Sequence, residues 1–280
     1  MEDELRVAWI GLGNMGQPMA AQVLAAGHDL VAFDVRAAAL DAAVELGARA
    51  ARSPAEAAAD VDAVCVAVLD GAQVEAVTTA PDGVFASARP GTVVAVHSTV
   101  DPATVRRVAA TQPAGVTVVD APISGGVRGA RAGTLCVMVG GPDAAFDRIR
   151  PVLDAVGDLV LHLGALGAGL AAKLARNLIG YVTMLGAQEG RVLAAAAGTD
   201  AEQFGRVLEH TGTLSPMMRD LLDTPGGDAV YADDLTPLIE LAAKDLRAAL
   251  ALGADLDVAL PAATLTLERV GFAMGGEAPG

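Results

Sequence analysis

The sequence predicts an α/β fold, in which a doubly wound domain with a parallel sheet is followed by an all-helical domain. Three observations lead there. Short β-branched runs alternate with alanine-rich helical stretches through the first half of the chain. The strand candidates are almost continuously apolar, as strands covered on both faces are. Beyond about residue 165 no segment reads as a strand.

The expected strands are Arg6 to Ile10, Leu30 to Phe33, Ala63 to Val68, Thr92 to Val96, Val116 to Val119, Leu135 to Val139 and Leu159 to Leu163. Gly164 to Gly169 reads as a glycine-rich bend. A long helix is expected from about Leu170 to Ala197, stopped by Gly198. Further helices are expected near Ala201 to Glu209, Leu235 to Leu252 and Pro261 to Met274. The boundary falls near Ala165, giving a first domain over residues 1–164 and a second over 165–280. Thr211 to Asp234, with Pro216, Pro225, Gly226 and Gly227, is the least regular stretch, and Gly275 to Gly280 reads as a frayed end. No internal repeat is visible.

Length and composition agree with this division. The chain has 280 residues, enough for two ordinary domains. Apolar residues make up 53% but aromatics only 3%, so the core must be aliphatic. A net charge of −15 favours solubility and argues against nucleic acid or an anionic membrane as partner. Cys65 and Cys136 sit in apolar runs and read as buried thiols, neither a disulfide framework nor a metal site. No signal peptide and no run of 18 uncharged apolar residues is found, so a cytoplasmic protein without a membrane span is expected.

Gly11-Leu12-Gly13-Asn14-Met15-Gly16 matches the GxGxxG pattern. Glycine is common here, so the context matters more than the match. The first strand ends just before it, and an apolar helix containing Met19, Val23 and Leu24 begins just after it. In that setting a pyrophosphate can approach the backbone at a helix N-terminus. The acidic residue expected at the end of the second strand is Asp34, which can accept the ribose hydroxyls of NAD and repel a 2′-phosphate. Arg36 could accommodate such a phosphate, but Val35, directly after the Asp, could not. NAD is expected over NADP.

Three further segments could carry chemistry. His97-Ser98-Thr99-Val100-Asp101-Pro102 follows the fourth strand. Asp101 suits a cap and Pro102 the first helical turn, leaving the Ser98 and Thr99 hydroxyls without a structural duty. Asp120-Ala121-Pro122-Ile123-Ser124-Gly125-Gly126 follows the fifth, and amides in such a bend can cradle a carboxylate. Both lie at carboxyl ends of strands, where open α/β sheets bind ligands. Capping and turn chemistry alone would also explain each of them. In the third segment Lys173 and Asn177 share a mostly apolar helix face with Leu170, Leu174 and Leu178. A lysine whose stem packs there while its ammonium reaches water is the plainer alternative to a catalytic one.

Taken in order, GLGNMG, HSTVDP, DAPISGGVRGARAGTL, GAGLAAKLARN and Lys244-Asp245-Leu246 resemble the β-hydroxyacid dehydrogenases, the family of 3-hydroxyisobutyrate dehydrogenase and tartronate semialdehyde reductase. The resemblance covers nearly the whole chain. It implies a Rossmann domain, a helical C-terminal domain and a homodimer or homotetramer. It implies Lys173 as general acid/base, with Asn177 orienting the substrate. Ser98, Ser124, Gly125 and Gly126 would hold the substrate's carboxylate. Leu69, Asp70, Val74 and Thr99 would touch the nicotinamide half of the cofactor, and Lys244 would reach the cofactor from the helical domain.

The chain departs from the family pattern in places. Leu69-Asp70 stands where Leu-Pro is common, Arg176 where an asparagine is, and His97 where the strand ends in an acidic or apolar residue. Tyr231 to Ala243 lacks the usual phenylalanine and glycine. None of these touches the lysine. The reading is hydride transfer between NAD and a small β-hydroxyacid, with no metal. An imine or ketone reductase on the same fold and a non-catalytic dinucleotide-binding protein are the rivals. The first usually lacks a lysine at the position of Lys173, and the second would have no need of Lys173, Asn177 and Ser124 together.

Overall fold

The computed structural model describes residues 4–214 and 234–276. Most of the stretch expected to be irregular, Tyr231 included, and the last four residues lie outside them. The chain divides into two compact units, Met1–Lys173 and Leu174–Gly280.

The first unit is built on nine strands: β1 (Arg6–Ile10), β2 (Asp29–Phe33), β3 (Arg49–Ala50), β4 (Ala63–Val66), β5 (Val93–Val96), β6 (Thr117–Asp120), β7 (Ile123–Ser124), β8 (Cys136–Gly140) and β9 (Leu159–Gly164). Between them run α1 (Gly16–Ala25), α2 (Ala37–Glu45), α3 (Pro54–Ala58), α4 (Gly71–Thr79), α5 (Pro102–Ala110), α6 (Gly126–Ala132) and α7 (Asp143–Val156). The sheet order is β3-β2-β1-β4-β5-β6-β8-β7, with β9 also paired to β8. From β3 to β6 all pairs are parallel, and the order reverses between β1 and β4. A crevice for ligands lies beside the carboxyl ends of strands at such a reversal.

The apolar runs become central strands because both faces are covered. Along β1, Val7 and Trp9 enter a core with Met19, Val23, Ile149 and Leu153, while Ala8 and Ile10 enter a second core with Val64, Val66, Val105 and Val108. This is the alternation of side chains across a strand. The expected parallel sheet is mixed at its far edge. β8 runs antiparallel to β6 and β7, because only the bend at β7 and the short α6 separate β6 from β8. β9 is parallel to β8 and leaves Leu159, Leu161 and Leu163 partly open to solvent.

A long helix, α8 (Ala168–Ala196), begins in the first unit. The division between units falls inside it, shortly after the glycine bend, and Leu170 is packed in the core of the sheet domain. The second unit continues with α9 (Ala201–His210), α10 (Thr236–Asp255), α11 (Pro261–Glu268) and α12 (Val270–Ala273). The single helix expected over Pro261 to Met274 is therefore broken at Arg269. Its small core gathers Met184, Leu185, Leu214, Ala242, Ala273 and Met274. No strand occurs among its described residues, and none of the described helices is long and apolar enough to cross a membrane.

Candidate active site

The glycine loop after β1 shows two different uses of glycine. Gly11 has φ +96°, and a Cβ there would stand 2.5 Å from the Ala67 carbonyl oxygen. A Cβ on Gly16 would stand 2.1 Å from the Gly11 carbonyl oxygen. These two are required by the packing of the loop itself. Gly13 is different, since a Cβ there would meet nothing within 4 Å. Its missing side chain leaves room for something other than protein. Next to it, α1 begins at Gly16 with no side-chain cap, as helices that receive a phosphate do. Asn14 is exposed and Met15 half-buried, while Leu12 sends its side chain into the core and its backbone towards Asp34.

Asp34 sits just past β2, with one carboxylate oxygen accepting the Leu12 amide at 2.7 Å. The other accepts the Arg36 amide at 2.8 Å and the Arg36 Nε at 3.2 Å. Arg36 Nη2 also donates to the Leu12 carbonyl at 3.0 Å. Burial works against the Asp34 charge, but the Arg36 side chain and the two amides outweigh it and hold the carboxyl below its usual value. Asp34 is thus an anion beside the loop, and the geometry fits a dinucleotide with its pyrophosphate at Gly13 to Gly16 and its ribose at Asp34.

The segment after β4 is tied to the segment after β5. Ser98 Oγ donates to the Val68 carbonyl at 2.7 Å and accepts the Val68 amide at 3.0 Å. The expectation that this hydroxyl lacks a structural duty is therefore wrong. Its proton is committed to Val68, so Ser98 cannot donate to a substrate carboxylate while that bond is made. Thr99 is half-buried. Asp70 caps α4 through the Gln73 amide at 2.8 Å, and Gln73 Oε1 accepts the Leu69 amide at 3.0 Å. Leu69 is exposed. Val74 differs from its expected place at the cofactor: it is fully buried in the second core. Its side chain packs the fold and presents no surface to a ligand.

His97 directly follows β5 and is buried. Its Nδ1 lies 2.8 Å from the Ala121 carbonyl, which requires the proton on Nδ1, while the buried Nε2 has no hydrogen-bond partner. Its ring stacks on Trp9 at 5.6 Å. Burial pushes its pKa down to about 4, opposed by the Ala121 hydrogen bond, so the imidazole is neutral near pH 7.

Ser124 pairs with Cys136 across β7 and β8 and is half-buried, with Gly125 and Gly126 exposed beside it. Both glycines have positive φ, +138° and +65°, a conformation that disfavours any other residue. A Cβ on Gly125 would press on Leu135 at 2.9 Å, whereas one on Gly126 would meet nothing within 4 Å. The bend is therefore open at Gly126.

Asp120, which the sequence reading left without a role, supports the helix that bears Lys173. It is fully buried at the end of β6 and accepts the Gly167 amide at 2.6 Å and the Leu170 amide at 2.7 Å. Burial raises its pKa, with the amide hydrogen bonds pulling the other way. Lys173 follows on α8 and is buried, with 8% of its surface exposed. An ammonium so placed costs free energy unless it has a task or a partner.

In the second unit the structure builds a network around another carboxylate the sequence reading did not single out. Asp245, on α10, is 3% exposed. Its Oδ2 accepts Asn177 Nδ2 at 2.8 Å and the Tyr181 hydroxyl at 3.1 Å, and its Oδ1 lies 3.1 Å from Lys244 Nζ. Asn177 Oδ1 accepts from Arg176 at 3.2 Å, so the arginine that replaces the family's asparagine holds the neighbouring amide. Asn177 is fixed in orientation, and Lys244 shares the same anion. The signal for Asp245 was present: with Ala242, Leu246 and Ala249 it falls on the buried face of its helix.

Comparison with known proteins bears on this geometry. The NAD binding domain of 6-phosphogluconate dehydrogenase matches residues 6–167. The family described as NAD-binding of NADP-dependent 3-hydroxyisobutyrate dehydrogenase matches residues 167–277. The 2-(hydroxymethyl)glutarate dehydrogenase of Eubacterium barkeri is 34% identical over 98% of this chain and 92% of its own. The NAD-dependent L-serine dehydrogenase of Pseudomonas aeruginosa is 39% identical over 74% of this chain and 70% of its own. The crystal structure of 3-hydroxyisobutyrate dehydrogenase from Salmonella typhimurium superposes with a TM-score of 0.83 at 33% identity, covering 95% of this chain and 93% of that one. An imine reductase from Pseudomonas sp. shares 21% identity with a TM-score of 0.65, which shows the common fold alone. The chain has an NAD-binding Rossmann domain followed by a helical domain, and it belongs to the β-hydroxyacid dehydrogenases, enzymes that move a hydride between a nicotinamide cofactor and a small hydroxyacid.

Proposed function

We propose that this enzyme oxidises the primary alcohol of a small 3-hydroxy acid to the semialdehyde with NAD, and reduces it in reverse, with Lys173 as acid/base. The substrates in the relatives' names, 3-hydroxyisobutyrate, serine and 2-(hydroxymethyl)glutarate, share one skeleton: a CH2OH group on a carbon that also bears a carboxylate. They differ only in the third substituent of that carbon. The observation that carries the reading is the buried lysine on a helix whose start is clamped to the sheet.

When bound, NAD accepts the hydride, and its reduced form returns one. Gly11, Leu12, Gly13, Asn14, Met15 and Gly16 would hold its pyrophosphate and Asp34 its ribose. Leu69, Asp70 and Thr99 are assigned to its nicotinamide half, and Lys244 to the cofactor, by the resemblance alone. In oxidation the neutral amine of Lys173 takes the hydroxyl proton as the hydride departs. In reduction its ammonium protonates the developing alkoxide and stabilises that charge beforehand. The Ser124 hydroxyl and the amides of Ser124 to Gly126 hold the carboxylate, and Asn177, one helical turn after Lys173, orients the substrate. Ser98 serves by fixing the Val68 segment.

The enzyme is further assigned to the cytoplasm and to a homodimer or homotetramer. Free Cys65, whose burial pushes its pKa up to about 12, and free Cys136 support a reducing compartment. Light scattering reads the subunit count directly. The test of the activity is NAD reduction across a panel of 2-substituted 3-hydroxypropanoates. Turnover of at least one is expected, and turnover only of imines or uncharged ketones would contradict the reading.

A further inference from the structure

We propose that Asp120 is a positioning residue for the hydride transfer: through the first turn of α8 it sets where Lys173 stands relative to the Ser124–Gly126 bend. The proposal rests on the reading of Lys173 as acid/base. Asp120 belongs to both sides of that relationship. It closes β6 four residues before Ser124, and its carboxylate accepts amides at the start of the helix that carries Lys173. Leu170, one of the two donors, precedes Lys173 by less than a turn.

The first amides of a helix have no partner inside it, so whatever accepts them decides where the helix begins and how it is rotated. Elsewhere in this chain aspartates do this locally. Asp70 caps through Gln73, Asp101 through Ala103 and Asp200 through Gln203, each within three residues. Asp120 reaches amides 47 and 50 residues further along. A local cap ends a helix neatly but ties it to nothing. This one joins the helix to the strand that leads into the substrate bend, and it uses both oxygens, so position and rotation are set together.

The surroundings are shaped to admit a carboxylate. A Cβ on Gly140 would stand 2.5 Å from Asp120 Oδ1, and one on Gly169 would stand 2.9 Å from Oδ2. Glycine leaves the acid room at both positions and also keeps the chain clear of backbone, since a Cβ would stand 2.1 Å from the Met138 carbonyl oxygen at Gly169 and 2.8 Å from the Ala165 carbonyl oxygen at Gly140. A hydroxyl would cap the helix without burying a charge. Asparagine is isosteric but accepts through one oxygen only and turns its amide N–H towards the second donor.

The test uses the intact enzyme with NAD and its best hydroxyacid, comparing wild type with Asp120→Asn and Asp120→Ala. For alanine kcat should fall about 100-fold, the cost of a misplaced catalytic group, with asparagine in between. NADH affinity, read from the fluorescence of bound NADH, and the hydroxyacid KM should stay within about twofold. That split separates positioning from a structural lesion, which lowers cofactor affinity and turnover together. If the alanine variant does not fold, the isosteric Asp120→Asn carries the same comparison. A kcat within about threefold of wild type, or NADH affinity falling in step with kcat, would overturn the proposal. A wild type that binds NADH but turns over no hydroxyacid would instead overturn the reading of Lys173, and this role of Asp120 with it.

Discussion

Arg36 lies across the carboxylate of Asp34, its Nε 3.2 Å from one carboxylate oxygen and its Nη2 3.0 Å from the Leu12 carbonyl. The acid that should receive the ribose hydroxyls is therefore partly neutralised before any cofactor arrives. Wild type should still prefer NAD, because Asp34 is anionic and Val35, being apolar, cannot pair a phosphate. Arg36→Ala should sharpen that preference by about two- to fivefold, the size of an exposed ion pair. The ratio of kcat/KM for NAD and NADP reads this directly. A preference that weakens in the variant would show that Arg36 serves the NAD ribose.

His97 makes stability depend on pH. Its pKa is pushed down to about 4 in the folded protein, against about 6.5 when unfolded. Between those values the unfolded chain binds a proton that the folded one refuses. Stability due to this group is thus fully present above about pH 6.5 and is lost as pH falls towards 4. From pH 7.5 to pH 5 the loss should be about 2 kcal/mol. His97→Asn can still donate to the Ala121 carbonyl and has nothing to protonate, so urea unfolding should show a flatter dependence. Equal slopes for both proteins would mean that the ring reaches solvent.

The carboxylate of the substrate faces an enzyme of net charge −15, so only short-range donors can hold it. Methyl esters should therefore react about 100-fold more slowly than the free acids, with the loss in kcat/KM. Gly126→Ala tests the bend better than Gly125→Val, because a Cβ at 126 meets nothing whereas one at 125 presses on Leu135. Its KM for the acid should rise while NADH binding stays near normal. Equal kcat/KM for acid and ester would remove the carboxylate from the account.

Much of this was legible because the sheet is buried on both faces, so its strands stand out as apolar runs and the turn after β1 as glycines. β3 and β7 were missed because two residues, Arg49–Ala50 and Ile123–Ser124, are too short to show any period. The reversal of β8 depends on how little chain separates it from β6, which composition does not reveal. Ser98 looked idle because its partner, Val68, is 30 residues away. Asp120 and Asp245 share that difficulty: their partners lie 47 to 68 residues away in the chain. What marked them was an acidic residue at a position that the apolar pattern assigns to the interior.

The most direct measurement is turnover by Lys173→Ala set beside its affinity for NADH. Lys173 is buried on a helix held at its first turn by Asp120, and in this account it handles the substrate's proton. Its removal should lower kcat by about 100-fold or more, as loss of an acid/base does, and leave the NADH dissociation constant nearly unchanged. Turnover and NADH affinity falling together would show that the lysine supports the fold or the cofactor, and would contradict its assignment as the acid/base.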